Sequence, residues 1–169
     1  MSRELILLRH AKSDRNQEVG DFERPLSERG QRDAARVGRW IVEHGIEPDL
    51  ILSSPARRAA QTADAVCTAL SADVAAVRWD GRLYLASLPT LLQCLSSLPA
   101  ATRCVILIGH NPGLEDLLLW LAPAAEQQRQ EDKLLTTATL ARLQLSGADW
   151  RLRTHGASLR DFVRPRDLK

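Results

Sequence analysis

The feature that most constrains this chain is an alternation of short, fully apolar runs with longer stretches whose apolar residues recur at helical spacing. Leu5-Ile6-Leu7-Leu8 is the clearest run, and the segments 4–9, 49–53, 74–79 and 103–109 read as strands. A strand without a polar face must be covered on both sides, and the intervening amphipathic stretches supply that cover. The combination predicts an α/β domain with a mostly parallel central sheet. A length of 169 residues fits a single domain, 1–169.

The helical stretches carry their own start and stop signals. Ser27 reads as the N-cap of a helix with Ala34, Val37, Ile41 and Val42 on one face, ending at His44 with Gly45 beyond it. A second helix is expected over 57–70. Ser87 and Pro89 open a third, carrying Leu91, Leu92, Leu95 and Leu98, and Pro99 stops it. The turn Gly109-His110-Asn111-Pro112-Gly113 leads into a fourth over 114–122. The polar segment 123–131 reads as a loop, and 139–145 and 150–153 as alternating edge strands.

Composition narrows the function classes. With 44% hydrophobic and 26% charged residues and a mean hydropathy of -0.22, the chain lacks the signature of disorder. Its 23 basic and 21 acidic residues leave a formal charge of +2, so no basic stripe speaks for nucleic acid. Twenty of the bases are arginine and three are lysine, which reflects either a genome-wide bias or a use for the planar guanidinium fork in oxyanion recognition. Cys67, Cys94 and Cys104 form no C-x-x-C pair and lie in apolar stretches, so they read as buried structural thiols and no metal site is expected. No apolar stretch reaches the roughly 18 residues of a membrane span, and a cytoplasmic location is expected.

Chemistry concentrates where strands end. In open α/β sheets the ligand lies in the crevice outside the carboxyl ends of the strands. The first strand exits into Arg9-His10, the second leads to Ser54-Pro55 with Arg57 and Arg58 in the first turn of a helix, and the fourth exits into Gly109-His110. Each piece alone reads as a turn histidine or a solvated arginine, and Arg57 keeps that reading. Together, imidazoles and guanidiniums gathered at one sheet edge ask for an oxyanion. A phosphoryl group in transfer needs charge clamping, which arginine supplies, and a nucleophile, which neutral imidazole can be.

Four motifs in order, Leu8-Arg9-His10-Ala11-Lys12-Ser13, Arg24-Pro25-Leu26-Ser27-x-x-Gly30, Ser53-Ser54-Pro55-x-x-Arg58-Ala59-x-Gln61-Thr62 and Gly109-His110-Asn111-Pro112, resemble the histidine phosphatase superfamily, and within it the small SixA-type phosphohistidine phosphatases. The resemblance implies a three-layer α/β/α sandwich of the phosphoglycerate mutase-like kind. It implies His10 as the phosphorylated nucleophile, with Arg9, Arg58 and His110 completing a phosphate pocket and no cofactor. Lys12, Ser13, Arg24 and Asn111 are expected near the substrate, although a solvated loop accounts equally well for Lys12 and Ser13. Ala11 stands where the family motif has glycine. The family's carboxylate after the third strand is also missing: that stretch offers only Asp80 and Tyr84 as proton donors, or none.

A missing acid favours a P–N bond over an alkyl phosphate ester, because an imidazole leaves with a pKa near neutrality whereas an alkoxide needs a proton. The expected activity is therefore metal-independent hydrolysis of phosphohistidine on a partner protein, without nucleic acid or membrane. The alternatives are a phosphatase of small phosphoesters or of phosphoserine and phosphothreonine, and an inactive phosphate-binding module.

Overall fold

The computed structural model describes residues 2–169. Among them, six strands form one sheet: β1 (Arg3–Arg9), β2 (Leu50–Ser53), β3 (Val77–Trp79), β4 (Cys104–Gly109), β5 (Leu140–Leu145) and β6 (Ala157–Val163). Their order is β3-β2-β4-β1-β5-β6. The first four strands are mutually parallel, and β5 and β6 add an antiparallel flank. The helices are α1 (Glu28–Glu43), α2 (Arg57–Leu70), α3 (Leu88–Ser96) and α4 (Gly113–Leu121).

The apolar runs act as the pleat dictates, because successive side chains point to opposite faces. Leu5 and Leu7 join a core with Leu91, Leu95, Leu114 and Leu118 of α3 and α4, while Ile6 and Leu8 join a second core with Val37, Ile41, Ala63 and Val66 of α1 and α2. Strand β4 divides in the same way, Val105 and Leu107 against Ile106 and Ile108. All eight of these strand residues are fully buried. Each contributes roughly 1.5–3 kcal/mol of transfer free energy, enough to fix both layers of helices against the sheet. The result is the three-layer α/β/α sandwich.

Helix boundaries follow their signals. Ser27 Oγ accepts from Gly30 N at 3.1 Å, and Gly45 takes the positive φ of 64° beyond the α1 C-terminus. Ser87 Oγ accepts from Thr90 N to open α3. The three cysteines are free, Cys67 and Cys94 buried and Cys104 partly so. Among the described residues no helix is long and apolar enough to cross a membrane.

Three sequence expectations are corrected. In 74–79 only Val77–Trp79 is a strand, because Asp73 accepts from Ala75 N at 2.9 Å and curls Val74–Ala76 into a 3-10 turn. The segment 123–131 opens with a 3-10 helix, Pro123–Gln128, rather than a plain loop. The segment 150–153 is not a strand: Trp150 turns into the core, 1% exposed, and its Nε1 donates to Thr102 O at 3.0 Å. The partner of β5 is β6, whose alternation is broken by an irregular register between Arg142 and Leu143.

Candidate active site

Strands β2, β4 and β1 are consecutive neighbours in the sheet and all run the same way, so their carboxyl ends share one edge. His10 follows β1, with its N–H donating to Gly109 O at 3.1 Å; His110 follows β4; Ser54 follows β2, with its N–H donating to Ile108 O at 3.0 Å. Arg58, in the first turn of α2, reaches over the same edge. Both imidazoles and Arg58 are buried, at 7%, 3% and 2% exposure. A buried guanidinium at the positive end of a helix dipole opposes local electrostatics, and such a conflict is tolerated where it serves a site.

The hydrogen bonds assign the protons. His10 Nδ1 lies 2.8 Å from Ala11 O, and since a carbonyl only accepts, Nδ1 carries the hydrogen. Nε2 is left with its lone pair, facing Arg58 Nε at 3.4 Å. His110 has the opposite tautomer: Nε2 donates to Ser54 Oγ at 2.8 Å, and Nδ1 faces Arg58 Nη2 at 3.5 Å. Ser54 Oγ also accepts from Ala56 N at 3.2 Å. The two rings lie 5.2 Å apart. Burial pushes His10 down to about 3 and His110 down to about 4, with nearby Arg9 and Arg58 adding to both shifts, so both rings are neutral at neutral pH.

A second layer holds the loop after His10 in place. Ala11 N donates to Thr62 Oγ1 at 3.0 Å, and Thr62 Oγ1 in turn donates to Arg58 O at 2.8 Å, so one hydroxyl couples the His10 loop to the turn that carries Arg58. Gln61 Oε1 accepts from Leu26 N at 2.7 Å and ties the loop before α1 to the same helix. Ala11 is fully buried, and alanine fits where the family motif has glycine.

Arg9 donates from Nη1 to Leu135 O at 2.9 Å, while its buried Nε has no hydrogen-bond partner among the described residues. Asn111 donates from Nδ2 to Glu115 Oε2 at 2.6 Å and to Leu135 O at 2.9 Å, and its buried Oδ1 is unpaired among the described residues. Lys12 is exposed beside Arg9 in a wider groove. Ser13 is buried in an antiparallel bridge to Leu26, a clasp of the loop, and no hydrogen bond joins it to the two imidazoles. Arg24 faces Asp21 at 3.0 Å. Arg57 is exposed.

Asp21 is the residue that sequence reasoning missed. Its main-chain carbonyl accepts from Arg58 Nη1 at 2.6 Å and its carboxylate from Nη2 at 3.1 Å, and the Tyr84 hydroxyl donates to the same carboxylate. The Tyr84 bond, with the Arg58 pair, holds the Asp21 carboxyl below its usual range; the same bond raises the Tyr84 phenol. The Tyr84 ring lies edge-on to both His110, at 5.4 Å, and Phe22, at 5.0 Å. Asp80 turns away to Arg82, at 2.7 Å, and caps the turn after β3. Nothing in the local pattern around Asp21, a polar loop, marks it in advance. Among the described residues no group of three or more His, Cys, Asp or Glu side chains is placed to hold a metal ion.

Residues 5–82 match the family model of the histidine phosphatase superfamily (branch 1). An uncharacterized protein of Mycobacterium tuberculosis is 31% identical over 145 residues, spanning 83% of this chain and 88% of the relative. Among solved structures, a protein assigned as phosphohistidine phosphatase SixA in Nakamurella multipartitia is similar with a TM-score of 0.80 and 29% identity, covering 98% of this chain and 97% of that one. A protein assigned in the same way in Agrobacterium tumefaciens is similar with a TM-score of 0.81 and 28% identity, covering 98% and 99%.

Proposed function

The chain belongs to the histidine phosphatase superfamily, with its phosphoglycerate mutase-like fold, and from that premise we propose that it hydrolyses phosphohistidine on a partner protein through a covalent intermediate at His10. The observation that carries this reading is the tautomer of His10. With its hydrogen on Nδ1 and committed to Ala11 O, the ring offers an unprotonated Nε2 in a pocket lined by Arg58 and His110.

In the first step the Nε2 lone pair attacks phosphorus and the P–N bond of the substrate breaks, the substrate imidazole, already protonated from solvent on its distal nitrogen, leaving as the neutral ring. Arg9, Arg58 and His110 stabilise the charge spread over the phosphoryl oxygens. In the second step water attacks the phosphoryl group on His10, the new P–N bond breaks, a proton passes to solvent and orthophosphate departs. The pocket needs no cofactor for this sequence, since nucleophile and charge clamp are all side chains.

The proton inventory supports a P–N substrate. Asp80 is held by Arg82, Asp21 is ionised, and the Tyr84 proton is engaged by Asp21. None of the three offers a ready proton to an alkoxide at neutral pH, whereas the substrate imidazole takes its proton from solvent on the distal ring nitrogen, which titrates near neutrality, and leaves neutral. The SixA assignments of the two structural relatives point to the same substrate class.

The test pairs His10→Ala with phosphate labelling. Wild-type protein should release phosphate from phosphohistidine far faster than from phosphoserine, and a phosphodonor should label it with acid-labile phosphate. His10→Ala should do neither while keeping its circular dichroism spectrum. An unchanged rate in that variant overturns the mechanism, and equal rates on phosphoserine overturn the substrate class.

A further inference from the structure

Beside the pocket, starting at Arg9 and Asn111, an open groove of about 750 Å³ runs between the N-terminal half of α1 and the segment 130–137 with Pro165 and Arg166. Eight basic side chains line it against four acidic ones, in a chain whose whole formal charge is only +2. Two of the acids, Glu131 and Asp132, are exposed on the wall beside Lys133. Asp33 is 5% exposed and shared by Arg29 at 3.6 Å and Arg36 at 3.4 Å, so one carboxylate faces two guanidiniums and one of their charges stays uncompensated. Glu115 is engaged by Asn111 and by Arg129 at 3.6 Å. Lys12, Arg32 and Lys133 are exposed and have no ion pair among the described residues.

The groove is preformed. Arg164, 3% exposed, donates from Nη2 to Gln128 O at 2.7 Å and Leu134 O at 3.0 Å, and so pins the wall that carries Lys133. Arg29, Arg32 and Arg36 fall on one face of α1 by their i, i+3, i+7 spacing. No aromatic ring lines the groove, which leaves bases of a nucleic acid nothing to stack on. Fixed positive charge, without stacking platforms and continuous with a phosphoryl pocket, matches carboxylates set around a phosphorylated side chain.

We propose that this groove is the docking surface for the protein bearing the phosphohistidine, and that it selects a partner whose phosphorylated face is acidic. The proposal rests on the phosphohistidine reading above and adds which surface reads the partner. Charge of this kind acts chiefly on encounter, raising association by roughly 10-fold to 10³-fold and fading with salt.

The experiment compares free phosphohistidine with two phosphohistidine peptides of equal length, one flanked by aspartates and one by serines. Wild-type kcat/KM should be at least about tenfold higher on the acidic peptide than on the serine peptide, and raising the salt from about 50 to 300 mM should remove most of that difference. The double variant Arg32→Glu with Lys133→Glu, which alters neither the pocket nor a buried contact, should lose the acidic preference and leave the rate on free phosphohistidine within twofold of wild type. Equal wild-type rates on the two peptides, or an equal loss on free phosphohistidine in the variant, overturns the docking surface while the phosphohistidine reading stands. Stronger inhibition by a single-stranded oligonucleotide than by the unphosphorylated acidic peptide overturns protein as the occupant. No hydrolysis of any phosphohistidine probe overturns the reading beneath it.

Discussion

Asp21 and Arg58 are 37 residues apart in the chain, yet the Asp21 carboxylate stands 3.1 Å from Arg58 Nη2 and its main-chain carbonyl 2.6 Å from Nη1. A loop residue thus occupies donors that the proposed reaction assigns to the phosphoryl group. It aims the guanidinium, and it must share or yield those donors when an oxyanion arrives.

Replacing Asp21 with Asn should therefore tighten inhibition by inorganic phosphate. The pair is half-exposed on the aspartate side, so the competing interaction is worth no more than about 1 kcal/mol, which corresponds to an inhibition constant about threefold to fivefold lower. Phosphate titration of the hydrolysis rate measures it, and weaker inhibition in the variant would show that Asp21 organises Arg58 more than it competes.

Ser54→Ala removes the acceptor of two buried donors, His110 Nε2 and Ala56 N. Leaving them unpaired should cost about 1–3 kcal/mol in urea unfolding. Turnover should also fall, since the ring loses the bond that keeps its hydrogen on Nε2. A variant as stable and as active as wild type would exclude this tautomer as a working part of the site.

The pH dependence follows from the two imidazoles. Their folded pKa values of about 3 and about 4 lie below the unfolded value of about 6.5, so between those limits the unfolded chain binds more protons. Their contribution to stability is present in full above about pH 6.5 and is lost as pH falls toward 4 and then 3. Urea midpoints should fall across that window in wild type and fall less in His10→Gln. Parallel curves for the two proteins would sink the assignment.

Gly30 is dictated by contact rather than by backbone angle. A Cβ there would stand 2.0 Å from the Lys12 carbonyl oxygen, which already accepts from Ser27 N at 2.9 Å and Ser27 Oγ at 3.1 Å. Gly30→Ala should cost about 1–3 kcal/mol by overpacking and, by shifting the loop that follows His10, lower kcat at least about tenfold. Urea unfolding and a rate on phosphohistidine check both halves, and full activity would mean the loop yields without moving His10.

Much of the site was legible because chain direction is shared. Once Leu5–Leu8 and the fourth strand are read as parallel and buried on both faces, their exits meet at one edge, and Arg9-His10 and Gly109-His110 must lie together. Arg58 follows from the same rule through β2. Lys12 and Ser13 show its limit: they are neighbours in the chain, but Lys12 faces the groove while Ser13 is folded into the clasp with Leu26. Loop residues have no period to betray their direction.

The sequence by itself determined the sandwich and the meeting of His10, His110 and the start of α2 at one sheet edge, because hydrophobic period and strand polarity are local properties whose consequences propagate through the whole sheet. Only the tertiary structure decided that Ala157–Val163 and not 150–153 pairs with β5, that Asp21 reaches Arg58, that the two imidazoles hold opposite tautomers, and that α1 and the segment 130–137 enclose a basic groove. Each of these depends on contacts between segments far apart in the chain. Whether a side chain meets its partner there is settled by how the intervening loops pack, which no residue pattern along the chain records.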